Sequence, residues 1–226
     1  IVHFGAVRAV VTDASESQLV VEVPAGATYS PVSVSVAGLS ASSKDPFVVT
    51  FLSNRQIDGG SFDVRSDLDA GSISKGVVVG DFDDDGRPDL AASDFLNGEL
   101  RVFRNAVAAN AASASLFSAP TTFPGETGPT RLIAADLNGD GKLDIAAVNF
   151  NASSMSVYRN SSVPGTISFA SAVSFPSPAN PSDLAAGDFN KDGKPELVVS
   201  SLTDGRVTVY PNTSALGLLD ASSFSG

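Results

Sequence analysis

Asp81-Phe82-Asp83-Asp84-Asp85-Gly86-Arg87-Pro88-Asp89-Leu90 decides the reading of this chain, because the stretch recurs twice. It returns as Asp136-Leu137-Asn138-Gly139-Asp140-Gly141-Lys142-Leu143-Asp144-Ile145 and as Asp188-Phe189-Asn190-Lys191-Asp192-Gly193-Lys194-Pro195-Glu196-Leu197, at offsets of 55 and 52 residues. A fixed period of this length signals a repeat architecture. The similarity extends outward from the acidic segment. Upstream, Val77–Gly80 aligns with Leu132–Ala135 and Leu184–Gly187; downstream, Leu100–Asn105 aligns with Met155–Asn160 and Val207–Asn212. Phe117–Pro124 aligns with Phe169–Pro176, so the length difference falls in the Ala/Ser-rich stretch between Asn105 and Phe117, which reads as a loop.

Each repeat thus carries four short apolar or alternating runs bounded by Gly, Asn, Asp and Pro, the pattern of strands. Four strands in about 50 residues make one antiparallel sheet of the kind that forms a propeller blade. The first and second runs are nearly continuous in apolar or small residues, as expected for strands packed on both faces. The third alternates, as in Arg101-Val102-Phe103-Arg104, and is expected nearer the outside. Phe103, Tyr158 and Tyr210 recur at one blade position and read as core. Phe62–Leu68 lies 55 residues before Phe117–Phe123 and reads as an isolated fourth strand, such as completes the last blade of a closed ring.

The acidic segments place oxygen side chains at positions 1, 3, 5 and 9: Asp81, Asp83, Asp85 and Asp89; Asp136, Asn138, Asp140 and Asp144; Asp188, Asn190, Asp192 and Glu196. Alternate residues of a tight loop can converge on one point, and the glycine after position 5 permits the turn. The carbonyls of Arg87, Lys142 and Lys194, at position 7, offer a further ligand. Ca²⁺ takes about 6–8 oxygens, whereas Mg²⁺ prefers few protein ligands and strict octahedral geometry, so the expected cofactor is calcium, about three ions with one per repeat. An EF-hand is excluded, because position 12 is Ala92, Ala147 or Val199 where it needs Glu, and the flanks read as strands. One such loop would be equally compatible with a solvated Asp/Asn/Gly turn; three in register, with an oxygen at all twelve positions, favour a metal site over that turn.

The pattern Asp-Phe-Asp-x-Asp-Gly-x-Pro-Asp-Leu resembles the FG-GAP/VCBS repeat of integrin α-subunit propellers and bacterial surface proteins, over roughly residues 62–226. The third loop departs from it with Glu196 in place of Asp. Phe4-Gly5-Ala6-Val7, Gln18–Gly26, Pro31–Val36 and Phe47-Val48-Val49 resemble the later strands of an IPT/TIG domain, an immunoglobulin-like sandwich, without its opening strands. The expected fold is all-β: an IPT/TIG module at residues 1–52, then three four-stranded blades within residues 60–226. The resemblance implies a calcium-stabilised, non-enzymatic binding or adhesion module, extracellular, secreted or on a bacterial cell surface, with an extracellular protein or glycan as ligand. An accessory carbohydrate- or partner-binding region of a large secreted hydrolase is the alternative. Because propellers use about 4–8 blades, further blades or partner chains are expected to complete the ring, and the chain is expected to be part of a longer protein.

Composition bounds the function classes. The formal charge of −11 disfavours nucleic acid, which needs a basic patch. The loops hold ten carboxylates; removing them from the 25 acidic residues leaves 15 against 14 lysines and arginines, so the acidity is concentrated where a metal would neutralise it. No apolar run of about 18 residues is present, and no membrane span is expected. The absence of cysteine excludes a disulfide scaffold. His3 is the only histidine and reads as incidental, and no catalytic constellation appears. Asn151-Ala152-Ser153, Asn160-Ser161-Ser162 and Asn212-Thr213-Ser214 match the N-glycosylation triplet, which arises by chance at this Ser and Thr content.

Overall fold

Valine, isoleucine and aromatic runs broken at short intervals by Gly, Asn and Pro fold here as antiparallel sheets, each strand too short to do more than cross its sheet once. The structure, a computed structural model, describes residues 1–5, 7–24, 27, 30–36, 39–47, 66–106 and 116–224. The described residues form sixteen strands, and no helix among them is long and apolar enough to cross a membrane. The strand expected at Phe62–Leu68 lies largely outside the described residues, as does most of the loop between Asn105 and Phe117.

The first repeat is the meander β6 (Val77–Gly80), β7 (Asp89–Asp94), β8 (Glu99–Phe103) and β9 (Thr121–Pro124). The second is β10 (Pro129–Ala135), β11 (Asp144–Asn149), β12 (Ser154–Tyr158) and β13 (Val173–Pro176). The third is β14 (Pro181–Gly187), β15 (Glu196–Ser201) and β16 (Val207–Tyr210), followed by a bridge from Asn212 to Phe224. That bridge repeats Asn105–Phe117 and Asn160–Phe169, so the third repeat enters its fourth strand in the same register.

Successive sheets pack face to face. Phe82, Leu100 and Val102 of the first repeat meet Leu132, Ile145 and Tyr158 of the second. Leu137, Met155 and Val157 of the second meet Leu184, Leu197 and Tyr210 of the third. Phe103, Tyr158 and Tyr210 are buried, as their recurrence predicts. Burial of the first strands departs from expectation. The second strands β7 and β11 are buried nearly throughout, and β12 is buried completely, whereas β6, β10 and β14 are only partly covered. The core therefore lies mainly between the second and third strands of neighbouring sheets, with Leu132 and Leu184 of the first strands reaching into it, and the third strand is not the outer one its alternation suggested, since β12 is fully buried.

Residues 2–47 form a separate five-stranded sheet in the order β3-β2-β1-β4-β5, from β1 (Val2–Phe4), β2 (Val7–Ala14), β3 (Leu19–Glu22), β4 (Ser30–Val36) and β5 (Leu39–Phe47). Val2, Phe4, Ala9, Val32 and Val34 form its apolar face with Phe47. The sheet sits over the acidic loops. The Arg8 guanidinium meets Asp84 at 2.9 Å, and the Ser40 amide donates to the Gly193 carbonyl at 3.2 Å. Ile1 packs so closely on Gly141 that a Cβ there would collide with Ile1 Cδ1. His3 is buried in this sheet, not loose at a terminus, and burial, Arg8 and the terminal amine lower its pKa to about 4.

Candidate metal centre

The three acidic loops each join the first strand of a repeat to the second and share one hydrogen-bond pattern. The position-1 carboxylate accepts from the glycine amide at position 6: Gly86 to Asp81 at 3.0 Å, Gly141 to Asp136 at 2.9 Å, Gly193 to Asp188 at 3.0 Å. The position-3 oxygen accepts from the position-5 amide, in Asp83, Asn138 and Asn190. Asp85, Asp140 and Asp192 accept from the amides of Arg87, Lys142 and Lys194. Position 9 reaches back to the amide of position 2: Asp89 to Phe82 at 2.9 Å, Asp144 to Leu137 at 3.1 Å, Glu196 to Phe189 at 2.8 Å. The longer Glu196 thus fills the same place. Gly86, Gly141 and Gly193 all have φ of 85°, the left-handed region that a side chain resists. Position 4 is left-handed too, at Asp84, Gly139 and Lys191, a requirement that nothing in its residue types discloses.

What covers each loop differs. In the first, the Gly165 amide of the second repeat donates to Asp83 Oδ2 at 2.9 Å; in the second, the Gly217 amide of the third repeat donates to the Asn138 carbonyl at 3.0 Å. The following repeat therefore laps over the loop before it. The third loop has no such cover among the described residues, and Asp188, Asn190 and Asp192 are exposed.

The first loop brings Asp81, Asp83 and Asp89 together, all buried, with carboxylate oxygens within 4.8 Å of one another. Asp85 lies outside that gathering. Its carboxylate is held by Arg87 and, at 2.7 Å, by Arg104. Burial pushes Asp81 up to about 7 against the opposing Gly86 hydrogen bond, and neighbouring carboxylates add to the rise. Burial likewise raises Asp89 to about 6. In the second loop burial raises Asp136, and Asp144 well above the ordinary range. Buried carboxylates without a counter-charge are costly, and a hard, oxygen-seeking cation fits such a donor set. The three buried aspartates can hold a metal ion. The position-7 lysines turn elsewhere: Lys142 and Lys194 donate to the carbonyls of Ser162 and Ser214.

The FG-GAP-like repeat matches residues 81–147 and again 136–199, each match running from one acidic loop into the second strand of the next repeat. The chain belongs to the FG-GAP-like repeat family. No curated protein matches it. The FG-GAP repeats also explain a feature that sequence reasoning set aside. Asn160 and Asn212, in two of the three glycosylation-type triplets, are buried and close the joint between repeats. Asn160 Nδ2 donates to Leu143 O of its own repeat and to Phe82 O of the preceding one, both at 2.9 Å, and Ser162 N donates to its Oδ1. Asn212 does the same with Pro195 O, Leu137 O and Ser214 N. Neither is free to carry a glycan, whereas Asn151 is exposed.

The protonation of these FG-GAP loops has a measurable consequence. Without metal, Asp81 and Asp89 hold protons in the folded chain at pH values where the unfolded chain, with ordinary carboxylates near 3.8, has released them. The folded state then binds more protons than the unfolded, so metal-free stability falls as pH rises from about 4 to about 7. A bound cation must expel those protons. Affinity for a divalent cation is therefore expected to rise steeply between pH 5.5 and pH 7.5, as read by titration at the two values. Equal affinities would show that these carboxylates do not bind the ion.

Proposed function

We propose that this chain is a calcium-stabilised, non-enzymatic binding or adhesion module of a secreted or cell-surface protein. The observation that carries the reading is the buried Asp81–Asp83–Asp89 gathering in a loop whose hydrogen-bond pattern recurs in two further repeats. Asp81, Asp83 and Asp89, then Asp136, Asn138, Asp140 and Asp144, then Asp188, Asn190, Asp192 and Glu196 would hold the ions. Calcium supplies the positive charge that the buried Asp81, Asp89 and Asp144 lack. Residues 1–52 serve on this reading as an immunoglobulin-like spacer of the IPT/TIG type, whose one apolar face suits a sandwich half.

Further blades or partner chains complete the structure on this reading. Phe82 and Leu137 are each 1% exposed beneath the next repeat, but Phe189, at the same position, is 65% exposed. Val77 is 64% exposed where Leu132 and Leu184 are 7% and 6% exposed. Both outer faces thus present apolar side chains of the kind the inner joints bury, which soluble proteins cover.

Ligand recognition is placed at the end of the sheets opposite the calcium loops. The turns at Asn97-Gly98, Asn151–Ser154 and Asp204-Gly205 meet the inter-repeat connections there: Gly125 N donates to Gly98 O, Ala152 N to Thr127 O, and Ala179 N to Asp204 Oδ2. An array of glycans and extracellular matrix proteins, probed with the full-length protein in calcium, tests this. Asn97→Ala, Asn151→Ala and Asp204→Ala are expected to weaken capture at least tenfold together while the melting temperature holds. Capture lost only through the calcium-side loops would place the ligand on the other end.

A further inference from the structure

The first loop differs from the others in carrying Asp, not Asn, at position 3, and it alone has a guanidinium bound to that residue. Arg104 Nε donates to Asp83 Oδ2 at 2.6 Å, and its Nη2 donates to Asp85 Oδ2 at 2.7 Å. The Arg104 side chain is mostly buried, and that of Asp83 is fully so. The equivalent residue of the second repeat, whose position 3 is Asn138, is Arg159, and it makes no ion pair among the described residues; in the third, whose position 3 is Asn190, it is Pro211. The charges follow the same division. The first loop has four carboxylates at its ligand positions, and two guanidiniums bind there, Arg104 to Asp83 and Asp85 and Arg87 to Asp85 alone; the second and third have three carboxylates each, and Lys142 and Lys194 donate to main-chain carbonyls rather than to them. Arg104, the one guanidinium that reaches Asp83, thus offsets the carboxylate by which the first loop's ligand positions exceed those of its neighbours.

We propose that Arg104 is a resident counter-ion that lowers the calcium affinity of the first loop by compensating the extra carboxylate of Asp83. The argument is one of charge at short range. Affinity of an oxygen site for Ca²⁺ is tuned by the number of charged ligands, and a fixed cation bound to two of the four carboxylates subtracts from their attraction for a second cation. Arg104 has an opposite effect on the metal-free chain, where it screens Asp83 from Asp85 and favours the folded loop. It narrows the difference between the filled and empty states of this loop, so that the first repeat keeps its shape over a wider range of calcium concentration than a bare four-carboxylate loop would.

The proposal rests on the calcium reading, and the test separates the two. The full-length protein carrying Asp136→Asn and Asp188→Asn, which weaken the other loops, is titrated with calcium against a chromophoric chelator. Arg104→Gln in that background is expected to tighten the remaining site on the order of tenfold and to lower the melting temperature in chelator. Adding Asp83→Asn to Arg104→Gln, which recreates the pattern of the second loop, returns the affinity to within a few-fold of the starting protein. Where Arg104→Gln alone does not fold in chelator, the same sign must appear between Asp83→Asn and Asp83→Asn/Arg104→Gln. Unchanged or weakened binding on removing the guanidinium overturns the counter-ion role and makes Arg104 an orienting partner of Asp83. A starting protein that binds no calcium at all fails the metal reading instead.

Discussion

Asn160→Ala should cost the fold about 3–5 kcal/mol, the largest effect expected from any single polar side chain here. Asn160 is 1% exposed and serves three main-chain groups at once: the carbonyls of Phe82 and Leu143 and the amide of Ser162. Alanine leaves all three buried without partners, and each such group costs about 1–3 kcal/mol, partly relieved where the joint can admit water. Phe82 lies 78 residues away, in the acidic loop of the preceding repeat, so the loss falls on the packing of two repeats against each other and not on one turn. Asn160→Asp separates shape from hydrogen bonding, because it keeps the acceptor for Ser162 N but sets an anionic oxygen against two carbonyls; it should be as damaging as alanine. Asn151→Ala, at an exposed turn, should stay within about 0.5 kcal/mol. Urea unfolding of the three variants reads the result as a shift in midpoint at constant slope. A cost below about 1 kcal/mol for Asn160→Ala would mean that the joint is held by apolar packing alone. Asn212→Ala should repeat the effect at the second joint, through Leu137 O and Pro195 O.

The repeats were legible because the chain states them three times. A single Asp/Gly turn says little, but Asp81, Asp136 and Asp188 at near-constant spacing, each followed by the same strand pattern, leave only a few architectures. The backbone of the loops followed as well, since Gly86, Gly141 and Gly193 mark the left-handed corner. What residue types at fixed spacing do not disclose is contact across repeats. Asn160 recurs with Asn105 and Asn212 and so was visible as a pattern, yet its role depends on the carbonyl of Phe82, which no local window contains; within its own window it resembles a glycan acceptor. Arg104 is similar. It reads as the polar member of an alternating strand, and only folding brings it to Asp83, 21 residues earlier. Periodicity also misjudged the first strands. Val77-Val78-Val79 is as apolar as a buried strand, but burial needs a neighbour on each side, and Val77 and Val79 lack one among the described residues. Phe189 makes the same point at the other end: its chemistry equals that of Phe82, and its exposure is decided by whether a sheet follows.

Calcium should raise the melting temperature of this protein by roughly 15–30 °C over its value in excess chelator. The metal-free loops hold buried acids whose protonated forms are favoured by burial and by their neighbours, as Asp81 and Asp144 show. At pH 7.5 Asp81 is largely ionised without a counter-charge, which strains the folded state, and a bound cation relieves that strain while the unfolded chain offers it no organised site. Mass action then stabilises each loop by about 2.7 kcal/mol at calcium a hundredfold above Kd. Three loops sum to about 8 kcal/mol, and a chain of this size gains about 2–4 °C for each. Single variants apportion the shift. Asp81→Asn, Asp136→Asn and Asp188→Asn keep an oxygen for the glycine amide of the turn and remove one ligand charge, so each should take away one equivalent of bound calcium and a share of the increment set by how deeply its loop is covered. The third loop offers the sharpest contrast with the other two. Asp188, Asn190 and Asp192 are exposed and uncovered by a following repeat, so the melting temperature should respond least to Asp188→Asn and most to Asp81→Asn, whose carboxylate is 1% exposed. Scanning calorimetry in calcium, in magnesium and in chelator decides the matter. Coincident transitions in calcium and chelator would end the structural-calcium reading, and an equal rise in magnesium would show that the loops select for charge and not for the larger ion.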